Sequence, residues 1–128
     1  MSNKYEIMYI ESKEGCIASL AAHIGKVSLS KTGKTIRYRG QEFQSLKGHG
    51  YKANYFNVES GEWYWISGCR KDGNDGLYRT TVHVDSDIRQ KYWCEIRQRP
   101  ERQEQDKFVS VGKHKPNGQE PKNNRNNV

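Results

Sequence analysis

The chain has 128 residues, enough for one domain and too few for a second core. Only 33% of them are hydrophobic, mean hydropathy is -1.08, and no segment is apolar for long enough to span a bilayer. The first 15 residues lack a basic start followed by an apolar stretch, so no secretory leader is expected and the cytoplasm is the predicted location.

The net charge of +7 is unevenly spread. Residues 26–52 carry Lys26, Lys31, Lys34, Arg37, Arg39, Lys47 and Lys52 against Glu42 alone, whereas residues 53–100 balance seven basic against seven acidic side chains. A concentrated positive field favours polyanions and acidic partners over neutral ones. Cys16, Cys69 and Cys94 are an odd set without a C-x-x-C pair. That argues against a disulfide framework and against a zinc site, and no metal or cofactor is expected.

Tyr5, Ile7 and Tyr9 alternate with Glu6 and Met8, the period-two pattern of a first strand. In residues 11–23, Cys16, Ile17, Leu20 and Ala21 (with Ile24 beyond) fall near helical spacing, but Gly15 interrupts them, so a loop with one or two helical turns is expected. Val27 and Leu29, then Ile36 and Tyr38, alternate on either side of Lys31-Thr32-Gly33-Lys34, which predicts a β-hairpin. Arg39-Gly40 is a second turn, and Phe43 and Leu46 anchor a third strand. In this meander Lys26, Arg37 and Arg39 share the polar face.

After the loop 47–51 (KGHGY), residues 53–58 and 63–67 pair around Glu59-Ser60-Gly61-Glu62. Residues 68–76 read as an exposed glycine-rich loop and 77–84 as another strand. Asp85-Ser86-Asp87 is an N-cap signal for a helix over about 86–99, whose Ile88, Tyr92 and Ile96, with Trp93, form an apolar face ended by Pro100. The expectation is a mainly β single domain over 1–100: a small open barrel, Src-homology-3-like, of five or six short antiparallel strands with one C-terminal helix. A polar extension over 101–128 follows, with a peripheral stretch at 107–112 and then a flexible tail.

Residues 4–113 carry Thr32-Gly33-Lys34-Thr35, the pattern Y-x-G-x-x-F from Tyr38 to Phe43, and N-Y-F-x-V-E-S-G-E-x-Y-W-I-S-G from Asn54 to Gly68. In these segments the chain resembles a family of small uncharacterised bacterial proteins. Some of that family's relatives are labelled 1-deoxy-xylulose-phosphate synthase, and the label does not fit this sequence. A thiamine-diphosphate enzyme needs two large domains and a G-D-G motif followed at a distance by N-N. Here Asp72-Gly73-Asn74-Asp75-Gly76 is a short loop and Asn123-Asn124 sits in a polar tail. The resemblance implies a compact fold and no particular chemistry.

Three functional readings follow. The first is a nucleic-acid-binding module in which Lys26, Lys31, Lys34, Arg37, Arg39, Lys47 and Lys52 meet phosphates and Tyr51, Tyr55, Trp63, Tyr64 or Trp65 stack on bases. The second is a protein-interaction subunit of a larger bacterial assembly, such as a defence or toxin–antitoxin system, binding an acidic partner through the same face. The third is a small metal-independent ribonuclease centred on His49, with Tyr51 and Lys52 beside it, His49 or Lys52 for acid–base work and Arg79 for the phosphorane charge. Gly33-Lys34-Thr35 is not a P-loop, because the preceding glycine pattern and the following helix are absent. Cys69, His83 and Cys94 match no ligand spacing.

Overall fold

Strict alternation in the first strand decides the architecture, because both of its faces are apolar. A computed structural model of the chain describes residues 4–12, 22–46, 53–76 and 79–111. In β1 (Lys4–Ser12), Met8 and Ile10 point one way and Ile7 and Tyr9 the other, so the strand serves two separate cores.

The first core is the inside of a barrel. Strands β1, β2 (Ala22–Leu29), β3 (Thr35–Tyr38), β4 (Gln41–Ser45), β5 (Tyr55–Asn57) and β6 (Trp63–Gly68) follow one another around the ring, each antiparallel to its neighbours, and β6 returns to β1. Ile10, Val27, Ile36, Tyr38, Phe43 and Ile66 fill it, with Met8, Leu29, Tyr55 and Tyr64 partly buried against them. The small barrel of short antiparallel strands followed by a helix is the architecture the sequence predicts.

The ring also has a split. β3 pairs with β2 only at Ser28↔Arg37 and Leu29↔Ile36, and the first half of β2 pairs instead, in parallel, with β7 (Thr80–Val84). β8 (Lys107–Ser110) extends β7, so the peripheral stretch expected near 107–112 is an edge strand that buries Phe108.

The second core lies outside the barrel, under helical residues 86–96. It contains Tyr9, Ala22, Ile24, Val82, Val84, Ile88, Tyr92, Trp93 and Phe108. Tyr92 meets Trp93 edge-on at 5.2 Å, and Trp93 meets Phe108 edge-on at 5.5 Å, arrangements that add to their burial. The helix is irregular: a 3₁₀ turn at Ser86–Ile88, an α turn at Arg89–Lys91 and a wide π turn at Tyr92–Ile96.

Two expectations need correction. Asp85 stands at the helix N-cap position, but its carboxylate makes no capping bond, since it is taken up by Tyr38 and Arg39. The loop 68–76 is not simply exposed: Asp75 is buried and accepts from the Arg70 amide at 2.6 Å, which closes the loop on itself. The helical turns expected within 13–21 and the tail beyond 111 lie outside the described residues. None of the described helices is long and apolar enough to cross a membrane.

Candidate nucleic-acid interface

The outer face of β1–β2–β3 follows from the register. Tyr5 pairs with Ser28, which pairs with Arg37, which pairs with Glu42, so these four lie in one row across the sheet. Lys26, opposite Ile7, stands in the next row on the same face. The interior positions Val27, Ile36 and Phe43 fix this phase, because a slip of one residue would turn the apolar set outward.

Tyr5 is 65% exposed, beyond the edge of the helix that covers Ile7 and Tyr9. The Lys26 ammonium sits 5.2 Å from its ring centroid, within cation–π range. A groove of about 590 Å³ runs alongside, lined by Tyr5, Lys26 and Lys91 together with Glu6, Asp87 and the apolar Ile7, Ile88 and Ile96. Lys31 and Lys34 are exposed on the β2–β3 turn, at the end of the barrel where Lys4 opposes Leu29.

The two arginines of the meander differ. Arg37 is exposed and reaches Glu42 at 3.3 Å, a surface pair that contributes little and exchanges readily with another anion. Arg39 has left-handed backbone (φ 51), next to Gly40 (φ 78), which makes the tight primed turn a two-residue hairpin needs. Its guanidinium donates to Asp85 at 2.7 Å, while the Tyr38 hydroxyl donates to the other carboxylate oxygen at 2.6 Å. His23 Nδ1 stands 3.6 Å from the same carboxylate, too far for a good hydrogen bond.

Asp85 therefore clasps the split between β3 and β7. Burial opposes its charge, but His23, the Tyr38 hydroxyl and the Arg39 charge outweigh burial and hold the carboxyl below its ordinary value. The same environment, burial first and then Asp85, pushes the Tyr38 hydroxyl upward. Gly25 leaves the room: a Cβ there would overlap both the Tyr38 ring and the Asp85 carboxylate. Arg39 is thus a structural member of the meander rather than a free phosphate contact.

Of the other candidates, Lys47, His49, Tyr51 and Lys52 lie outside the described residues, and Arg79 is exposed just before β7. The expected stacking set separates. Tyr55 and Tyr64 face the barrel interior, where Tyr55 donates to Gly33 O at 2.6 Å and Tyr64 meets Phe43 edge-on at 4.7 Å. Trp65 packs on the outer core, and Trp63 is 45% exposed on β6, in the row of Phe56 and Gln44 rather than in that of Tyr5. Among the described residues, no three His, Cys, Asp or Glu side chains are grouped to hold a metal ion.

Sequence reasoning missed Tyr5 and Lys91. Tyr5 continues an apolar alternation, and only the length of the covering helix shows that it falls outside the core. Lys91 lies in a stretch whose charges balance in sequence, and only the folded groove brings it near Lys26 and Tyr5. No family model, curated protein or solved structure matches this chain.

Proposed function

We propose that this chain is a non-enzymatic nucleic-acid-binding module that lays a single strand across the outer face of β1–β2–β3. The observation that carries the reading is the exposed Tyr5 ring flanked by Lys26, with Arg37 two strands away in the Tyr5 row. A base stacks on a ring of this kind whatever its identity, and cations spaced along a sheet follow the backbone phosphates. Lys31 and Lys34 extend the cationic track along the hairpin, and Lys91 adds to it across the groove. Glu42 and Asp87 interrupt the track, which favours modest, salt-sensitive affinity over tight binding.

The test is binding of labelled single-stranded DNA and RNA by the parent and by Lys26→Glu/Arg37→Glu. The reading expects weaker binding and a shallower salt dependence in the variant. Equal affinity for every nucleic acid in both proteins would overturn it and leave an acidic protein as the partner of this face. Strand cleavage by the purified chain would instead favour the ribonuclease reading.

A further inference from the structure

We infer that the groove between the 68–76 loop and residues 97–99 is a binding site for a phosphomonoester dianion. The groove is about 700 Å³ and is lined by Arg70, Lys71, Asp72, Arg97, Gln98 and Arg99, four cations to one carboxylate. Nothing in the linear charge pattern marks it, since these residues fall within the balanced stretch 53–100.

Arg97 is the centre of the site. Its guanidinium carbon lies 4.9 Å from the Trp93 ring centroid and 4.7 Å from that of Phe108. Gly73 covers it so closely that a Cβ would strike the guanidinium. Its one hydrogen-bond acceptor among the described residues is neutral: Nη1 donates to the Tyr92 hydroxyl at 3.2 Å. No described carboxylate comes within ion-pair distance of it, and its Nε is buried without an acceptor. A cation immobilised by aromatic rings and held by a neutral oxygen keeps its charge for an outside anion and loses little freedom on binding one.

The neighbours are turned toward the same space. Gln98, just past the helix C-cap, adopts the left-handed backbone (φ 57) that commonly ends a helix. It reverses the chain so that the Arg99 amide donates to Trp93 O at 2.7 Å and Arg99 lines the groove beside Arg97. Arg70 is braced by Asp72 through two 3.0 Å bonds, and chiefly because of those bonds the Asp72 carboxyl is pulled down to about 2, so the brace persists across ordinary pH. Arg99 has only a loose 3.8 Å contact with Glu101, and Lys71 is exposed. Several donors around one concavity suit a monoester, with nearly two charges and three terminal oxygens, better than a singly charged diester.

The proposal stands on this geometry and does not depend on the outer-face reading. Its test is an NMR titration of the ¹⁵N-labelled full chain with inorganic phosphate, following arginine Nε–H signals and the Gly73 amide, against chloride at matched ionic strength. The expected result is saturable phosphate-specific shifts at Arg97, Arg99 and Gly73. Arg99→Gln and Lys71→Gln, exposed substitutions that leave melting unchanged, should each weaken binding by about tenfold, the size of one charge-assisted contact. Lys26→Glu/Arg37→Glu should keep the shifts. Shifts that chloride reproduces, or saturation unchanged in both glutamine variants, would overturn the proposal.

Two further arms identify the source of the phosphate. Preference for a 5′-phosphorylated strand over its 5′-hydroxyl twin places the ligand at a nucleic-acid end. Equal binding of the two strands together with saturable binding of a nucleoside monophosphate makes the source a free nucleotide. Binding of neither would overturn the site.

Discussion

The outer face of the meander and the groove around Arg97 are both basic, yet they are built in opposite ways. On the meander the cations are close in sequence and stand on an open face and its turn: Lys26, Lys31, Lys34 and Arg37 are exposed, and Arg37 has only a surface pair with Glu42. Around Arg97 the cations come from a loop and a helix end, and the central one is held by Trp93, Phe108 and Gly73. Charge density along a sequence thus locates open, salt-sensitive surfaces, whereas fixed charges emerge only once the core that holds them has formed.

The strongest way to break this comparison is to remove the support of the fixed site. Trp93 is fully buried and its indole donates to Gln105 O at 2.9 Å, so Trp93→Ala should destabilise the chain by about 3–5 kcal/mol in chemical denaturation. Trp63→Ala, at a ring that is 45% exposed, should cost clearly less, about 1–2 kcal/mol. Similar losses from the two would mean that the outer core does not carry the weight assigned to it.

Asp85 gives the next largest effect and sharpens the contrast between Arg37 and Arg39. Its carboxylate is only 10% exposed, and Asp85→Asn should cost about 1–3 kcal/mol at neutral pH by weakening the bonds from Arg39 and Tyr38. Because the folded state holds this carboxyl below its ordinary value, its contribution is fully present above about pH 4 and is lost as pH falls through the lowered folded value. The parent should therefore lose more stability than Asp85→Asn over that acid range. Parallel pH profiles would remove the clasp from the account. Glu42→Gln, at the exposed pair of Arg37, should leave stability unchanged to within about 0.5 kcal/mol.

The barrel was readable because period-two alternation and turn glycines are local signals. Val27/Leu29 and Ile36/Tyr38 predict both the hairpin and the face on which Lys26 and Arg37 stand. Other features depend on contacts between distant residues. Asp85 carries an N-cap signature, and only the approach of Tyr38 and Arg39, 47 and 46 residues earlier, diverts its carboxylate. Asp75 reads as a loop aspartate, and its burial depends on the Arg70 amide it accepts from. The strand phase of Trp63, Tyr64 and Trp65 was legible, but which side faced the barrel was not, since both sides are aromatic.

Smaller effects concern the proposed interface. Tyr5→Ala should weaken single-strand binding by about 1–3 kcal/mol, the worth of one stacked base, and leave stability nearly unchanged because the ring is exposed. Tyr5→Phe should bind like the parent, since stacking needs the ring and not the hydroxyl.

The most direct test of the central claim is the salt dependence of single-strand binding. If Lys26, Lys31, Lys34 and Arg37 each meet a phosphate, the logarithm of the binding constant should fall with the logarithm of salt concentration with a slope of about -3, at roughly 0.7 per contact. Lys26→Glu/Arg37→Glu should flatten that slope by about half and lower affinity at every salt concentration. A parent that binds no single strand at low salt, or a slope unchanged by the double substitution, would contradict the account.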